Sequence, residues 1–405
     1  MSARRYRVGV VARHPIQYQA GIWRALAAHP RIDANVIFLD TIGVDGTIDP
    51  TLNAAMAWDV PMLEGYPHEF VRNLSPARFT AVVDRINPGV GVAIRRGGYD
   101  AVILHGYLSI SNWLALVASR RAGAKIVYRG EGSVRGRTLH DGRAATAIKH
   151  PLNRWFLDHC DAVAYSSTDN RDYQISRGAR EEQLFAFPCA VDNDELARLR
   201  DAAETRAGFR ERVGIPHEAT LVLNVGRFTD HKCTGDCIAA LAAPALARRP
   251  DVHLALAGDG PLRADLEALA RSRRVADRVH FLGFLGQAQI ASAMRAADLF
   301  VLPSNRDPSP KALSEALYFG LPAVCSDAIG TAPDLVLPGE NGAIFPLNDV
   351  RTFAEAIADV AASPARLRSF GARSHEIALA NDFAAGIRSL VAKLDTLFEG
   401  GSRDE

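Results

Sequence analysis

Residues 220–237 read TLVLNVGRFTDHKCTGDC, and this stretch sets the fold. LVLNV is a near-continuous apolar run of strand length that stops at Gly226-Arg227. A polar loop follows, and Lys232 comes just before DCIAALAAPALARRP, where apolar residues recur at helical spacing. A fully apolar strand feeding an amphipathic helix is the repeating unit of a parallel sheet covered on both faces. Gly226 permits close approach to the backbone. Arg227 and Lys232, flanking a strand end and a helix start, make a natural diphosphate clamp. The competing reading is a surface loop with two solvated cations.

The same alternation extends both ways. Downstream come HLALAG, PLRADLEALARS, RVHFLG, QIASAMRAA, DLFVLPS, KALSEALYFG and PAVCS. Upstream, a first series runs through YRVGVVA, AGIWRALAAHP, NVIFL, AVILH, NWLALVASRRAGA, KIVYR and AVAYSS. Two series predict two doubly wound Rossmann-like α/β domains facing across a cleft, with ligands at the carboxyl ends of the strands. A length of 405 residues suits two domains. The expected boundaries are 1–200 and 201–382. The charged segment 193–216 reads as the link between them, and an amphipathic helix is expected at 383–399, which by the family resemblance given below would pack back on the first domain. Residues 40–79 are irregular and long for a loop, which suggests a functional lid or poor order.

Further candidate positions fall at strand ends. In SNRDPSPKALSEALYFG, Asp307 lies in the loop after LFVLPS, Pro310 suits a helix start and Glu315 sits inside the helix. Free amides at that helix start suit an anion, and the two carboxylates suit sugar hydroxyls. On spacing alone Asp307 reads equally as a turn or cap residue, and Glu315 as a solvated helix position. In the first domain, His105 and Tyr107 of HGY end a strand, and His14, Gln17, Tyr18 and Gln19 follow the first strand. A lone His is more often a packed polar residue. GDGP, from Gly258 to Pro261, is a tight turn without dinucleotide-fingerprint spacing. No GxxxxGK[ST] or GxSxG occurs, which argues against a P-loop ATPase and an α/β-hydrolase.

Composition narrows the class. Hydrophobic residues make up 48% and charged residues 23%, the balance of a soluble globular protein. A net charge of +1 gives no general attraction to nucleic acid. No run reaches the ~18 apolar residues of a membrane span, and the N-terminal run is broken at Arg13-His14-Pro15, so a first strand is expected there and not a signal peptide. Five cysteines in no framework suggest the cytoplasm. Cys233 and Cys237 could share a helix face, but no further ligands complete a metal site.

The ordered set GRF…K, GDGPLR, VHFLGFL, ADLFVLPS, the carboxylate pair, GLPAVCSD and NGAIFPLND resembles glycosyltransferase family 4, a retaining family of the GT-B fold. The likeness is strongest over residues 221–346. HPIQYQ, WDVPMLEGY, HGY and CAVDND resemble a bacterial subgroup. The resemblance implies a donor site of Gly226, Arg227, Lys232, Gly283, Phe284, Asp307, Ser309, Pro310, Lys311, Ala312, Leu313 and Glu315. Arg227 and Lys232 would hold the diphosphate, Asp307 the transferred sugar, Glu315 the ribose, and the backbone after Gly283 the base. His105 would join Arg227, Lys232 and Asp307 as a catalytic group. The acceptor side would be His14, Gln17, Tyr18, Gln19, His105, Tyr107, Arg129 and Glu131. Asp307 departs from the family's glutamate by one methylene, and the N-terminal loop lacks the paired glycines of many members.

The expected activity is retaining transfer from a nucleotide-diphosphate sugar, UDP or GDP, with no cofactor and no metal. The acceptor would be a glycan, a lipid-linked glycan or a small molecule, in polysaccharide or lipid-linked glycan assembly, with no nucleic-acid partner. The triplet Asp192-Asn193-Asp194 falls at the domain join, where the resemblance gives it a linker role. Arg129, Arg135, Arg137, Arg143, Lys149 and Arg154 form a basic stretch that could meet anionic lipid at the inner face of the membrane. The rival readings are a non-catalytic sugar-nucleotide binder and a GT-B epimerase.

Overall fold

YRVGVVA forms strand β1 (Tyr6–Ala12), and every side chain in it except Arg7 is buried. β-Branched residues on both faces leave it no solvent side, so it sits mid-sheet. The structure, a computed structural model, describes residues 4–44, 48–49, 54–55, 61–75, 85–135 and 143–399, with backbone only at 48–49, 54–55 and 143–149. The chain divides into two compact units. One is Met1–Gly132, Leu139–Pro188 and Phe383–Glu405, and the other is Ser133–Thr138 and Cys189–Asp382.

The first unit continues with β2 (Ile32–Phe38), β3 (His68–Phe70), β4 (Ala101–His105), β5 (Lys125–Arg129), β6 (Ala162–Tyr165) and β7 (Leu184–Ala186). They form one parallel sheet in the order β3-β2-β1-β4-β5-β6-β7. β1 runs in register with β2 from Tyr6–Ile32 to Ala12–Phe38, and with β4 from Val8–Ala101 to Val11–Leu104. The strand period of two sends alternate residues to opposite faces. Val8, Val10 and Ile103 pack with Trp23 and Leu26 of helix Gln17–Ala28 and with Leu390 and Leu394 of helix Phe383–Glu399. Val11, Val102 and Leu104 pack on the other face with Ile94, Leu116 and Phe156. Asp395 ties the last helix down, accepting from Tyr6 Oη at 2.6 Å and from Arg31 at 2.5 and 2.9 Å.

The second unit holds β8 (Thr220–Val225), β9 (Val252–Ala257), β10 (Val279–Gly283), β11 (Leu299–Leu302), β12 (Ala323–Ser326) and β13 (Gly342–Phe345). Their order is β10-β9-β8-β11-β12-β13, all parallel. Leu221, Leu223, Phe300 and Leu302 face Phe209, Leu313 and Leu317, whereas Val222, Leu254 and Val301 face Ile238, Leu266 and Phe353. Among the described residues, no helix is long and apolar enough to cross a membrane.

Three expectations change. Residues 193–216 are not a link but two helices, Asn193–Ala202 and Arg206–Val213, folded into the second unit. Arg210, 1% exposed, donates to Asp298 at 2.8 Å and to the carbonyls of Ala296, His217 and Ala219. Residues 189–200, expected with the first domain, fall in the second unit because Leu196 enters its core. The region 40–79 holds the edge strand β3, which pairs with β2 from Val36–His68 to Phe38–Phe70. Trp58 of WDVPMLEGY lies outside the described residues, as do residues 45–47, 50–53 and 76–84.

Candidate active site

Each sheet has a topological switch point, where neighbouring strands send their connections in opposite directions: β1/β4 in the first unit and β8/β11 in the second. Loops part there and leave room for a ligand beyond the carboxyl ends. The loops after β8 and β11 are fastened together. Asn305 N donates to His231 O at 3.0 Å, and Lys232 Nζ lies 2.5 Å from Asp307 Oδ2. Both side chains of that ion pair are part-buried. Asp307 is fixed from behind, since its carbonyl accepts from Gly330 N at 3.0 Å.

The loop carrying Gly226 and Arg227 is braced by GDGP. Phe228 N donates to Asp259 O at 2.9 Å, and Leu262 N donates back to Phe228 O at 3.2 Å. Gly258 (φ 151°) and Gly260 (φ 158°) lie so close that an added Cβ would stand 1.9 Å from Gly226 O and 2.5 Å from Phe228 O. These glycines serve loop-to-loop contact at the backbone on either side of Arg227. At the end of β10, Gly283 has φ 72° and its carbonyl accepts from Gly258 N at 2.8 Å. Phe284 beside it is 80% exposed.

Helix Lys311–Tyr318 starts after the non-helical Pro310, with Ser309 part-exposed ahead of it. Leu313 and Leu317 enter the core, which leaves Ala312 and Glu315 on the less buried side. Burial pushes the Glu315 carboxyl up to about 7, against a smaller lowering by the Lys311 charge. Lys311 was expected to meet the donor. Its Nζ instead donates to Cys189 Sγ and Ala190 O, both at 2.8 Å. A cation at a helix start opposes the macrodipole, and these contacts account for its placement.

The raised Glu315 value gives a test. A carboxyl that titrates higher in the fold than in the unfolded chain destabilises the fold as it ionises. The penalty is absent below the usual value of 4.5, grows between 4.5 and about 7, and is fully present above that. Glu315→Gln is therefore expected to gain about 1–3 kcal/mol over wild type near pH 8.5 and close to nothing near pH 4.5. Urea unfolding at both pH values reads this, and a difference that does not change with pH would contradict the burial.

In the first unit, the loops after β1 and β4 flank the switch point. His14 Nδ1 lies 3.0 Å from Pro15 O, and burial lowers its pKa. Gln17 and Gln19 are part-exposed and Tyr18 is exposed at the start of helix Gln17–Ala28. His105 differs from the expected catalytic group. Its Nε2 is enclosed without a hydrogen-bond partner and its ring stands edge-on to Trp23 at 5.3 Å. Burial and the Arg129 charge lower its pKa to about 3. Such an imidazole stays neutral and is a poor proton acceptor. Tyr107 leans on Phe156 at 6.2 Å, and Glu131 is exposed in the loop after β5.

Two asparagines that sequence reasoning did not single out pin these loops. Asn112 Nδ2 donates to His105 O and Gly106 O at 2.8 and 2.7 Å. Asn170 Nδ2 donates to Gly130 O and Gly132 O at 3.0 and 2.7 Å. Each stands three residues after a serine that caps its helix, Ser109 and Ser167. The repeated S-x-x-N after β4 and β6 was the available signal. Of the expected basic stretch, the side chains of Arg129, Arg135 and Arg154 are described. Arg129 lies over the Phe187 ring at 4.6 Å, and Arg135 donates to Asp327 O at 3.3 Å. Arg137 and the side chains of Arg143 and Lys149 lie outside the described residues.

Of the cysteines, Cys237 packs in the core and Cys233 is a part-exposed loop residue at φ 50°. Among the described residues no three His, Cys, Asp or Glu side chains gather as a metal-holding group.

Comparisons with known proteins agree with this architecture. Residues 15–190 match the glycosyl transferase 4-like domain model, and residues 205–376 the glycosyl transferases group 1 model. A GDP-mannose-dependent alpha-(1-6)-phosphatidylinositol monomannoside mannosyltransferase of Mycolicibacterium smegmatis is 28% identical over 65% of this chain and 68% of its own length. The lipopolysaccharide core biosynthesis glycosyltransferase LpsE of Rhizobium meliloti is 32% identical over 41% of this chain and 47% of its own. The alignment thus spans less than half of LpsE. The crystal structure of Anabaena Alr3699/HepE in complex with UDP superposes with a TM-score of 0.72 at 19% identity, over 96% of this chain and all of that one. Two Rossmann-ordered parallel sheets, and the superposition on that structure, define a two-domain α/β protein of the GT-B fold. The chain belongs to glycosyltransferase family 4.

Proposed function

We propose that this chain transfers a sugar from a UDP- or GDP-sugar with retention of anomeric configuration and without a metal ion. The observation that carries the reading is the Lys232–Asp307 pair at the β8/β11 switch point, beside the braced Gly226-Arg227 loop. Arg227 and Lys232 stabilise the charge that develops on the leaving diphosphate. Asp307 meets the transferred sugar, and Glu315, poised to titrate near neutrality, meets the ribose. The loop from Gly283 to Phe284 takes the base, and Ser309 and the first turn of helix Lys311–Tyr318 face the phosphates. With His105 held neutral, the leaving phosphate takes the acceptor proton on the same face. The first unit supplies the acceptor side through His14, Gln17, Tyr18, Gln19, Tyr107, Arg129 and Glu131.

The acceptor belongs to glycan or lipid-linked glycan assembly, in line with the similarity to the mannosyltransferase and to LpsE. Proton NMR of the product is expected to show the donor's anomeric configuration, at a rate unchanged by EDTA. An inverted product, or activity lost to EDTA and restored by a divalent ion, would overturn the mechanism. Donor binding with neither transfer nor donor hydrolysis would favour the non-catalytic reading.

A further inference from the structure

The chain passes from one compact unit to the other between Pro188 and Cys189, and returns between Asp382 and Phe383. On the second-unit side the two crossings are joined, because Val191 pairs with Asp382 in an isolated parallel bridge. Cys189 stands two residues before that bridge. Its thiol is buried, with the residue 5% exposed, so a bulky soluble thiol cannot reach it. What it meets is Lys311 Nζ at 2.8 Å, from the first residue of helix Lys311–Tyr318. The same ammonium lies 2.8 Å from Ala190 O. Sulfur is larger than oxygen, so an equal distance to both is a closer approach to the sulfur.

A lysine does not react with a thiol. Oxidation changes that, since a sulfenic acid condenses with a nitrogen held beside it. Reacting atoms roughly 3–3.5 Å apart are poised to combine, and Nζ and Sγ already stand closer than that. Burial also keeps away the soluble thiols that would otherwise capture a sulfenic acid at Cys189.

We propose that Cys189 and Lys311 form an oxidative crosslinking site, closed by peroxide into a sulfur–nitrogen bond that braces the crossing against the helix carrying Glu315. In the first step Sγ attacks one oxygen of hydrogen peroxide. The O–O bond breaks, two electrons pass from sulfur to peroxide, Cys189 becomes a sulfenic acid and one water leaves. In the second step Lys311 gives a proton to solvent and its nitrogen lone pair attacks Sγ. The S–N bond forms as the S–O bond breaks, and the hydroxyl leaves as a second water with a further proton from the nitrogen. Two molecules of a thiol reductant reverse the link, returning the thiol and the amine and leaving as a disulfide. The site uses neither donor nor acceptor, so it stands or falls separately from the transfer reaction.

The test is treatment of the full chain with hydrogen peroxide, then non-reducing digestion and mass spectrometry. A linked pair of peptides carrying Cys189 and Lys311 is expected, about 2 Da lighter than their sum, and dithiothreitol is expected to separate it. Cys189→Ser and Lys311→Arg are each expected to abolish the link, the second because a guanidinium keeps the charge but is not a nucleophile. Cys233→Ser, which removes the part-exposed thiol, is expected to leave the link intact. The link joins residues 122 positions apart in the chain. It is therefore expected to raise the wild-type unfolding midpoint by about 5 °C or more, and to do so in neither of the two abolishing variants. No linked peptide, a sulfinic acid at Cys189 in its place, a link that persists in Lys311→Arg, or a linked protein with an unchanged midpoint would overturn the proposal.

Discussion

Arg227→Ala is expected to lower kcat/KM by about 100- to 1000-fold, or about 2.7–4 kcal/mol, while the protein stays folded. The size follows from preorganisation. The Arg227 loop is held by hydrogen bonds from Phe228 to Asp259 and from Leu262 to Phe228, and by the two close-set glycines of GDGP. A guanidinium on so firm a loop reorganises little as the diphosphate charge develops, and that is where a fixed cation contributes most. Arg227 is part-exposed and outside the core, so its removal leaves the packing intact. Near-wild-type turnover in Arg227→Ala would remove it from the clamp.

Lys232→Met is expected to lose activity on the same scale, about 100-fold or more, and also to lose stability. The two losses have different sources. Activity falls because the second cation of the clamp is gone. Stability falls because Asp307, only 15% exposed on its side chain, keeps a carboxylate whose partner 2.5 Å away has been removed. An unpaired, partly buried charge of this kind costs about 1–3 kcal/mol. Lys232→Met/Asp307→Asn is therefore expected to regain most of the unfolding midpoint but none of the rate. A double variant that recovers the rate would make the pair structural.

The central strands were legible because their residues leave few alternatives. LVLNV and LFVLPS are apolar on both faces and end in Gly or Pro, and they became β8 and β11. The strand-end loops that carry Arg227, Lys232 and Asp307 followed from them. The edge strands β3 and β7 have three residues each, and HEF and LFA are too short to show a period. Helices Asn193–Ala202 and Arg206–Val213 were hidden by their charge, with few apolar residues such as Leu196 and Phe209 to mark the inner side. No local pattern shows that Arg210 will be buried against carbonyls from residues 216–219 and 296. The surroundings of His105 were hidden for the same reason. Trp23, which stands against its ring, comes from a helix more than 80 residues away in the chain. Lys311 entered the donor site only through the family resemblance, and only the fold brings Cys189 and Ala190 to its ammonium.

The central claim is that the second unit holds a nucleotide diphosphate through Arg227 and Lys232. Thermal unfolding with UDP, GDP, ADP, CMP and dTDP in turn, without added metal, tests it most directly. A ligand present at ~100 times its dissociation constant adds about 2.7 kcal/mol, enough to raise the midpoint by several degrees. The account predicts such a rise with UDP or GDP in the wild type and its loss in Arg227→Ala. No rise with any diphosphate, or an equal rise in Arg227→Ala, would contradict it.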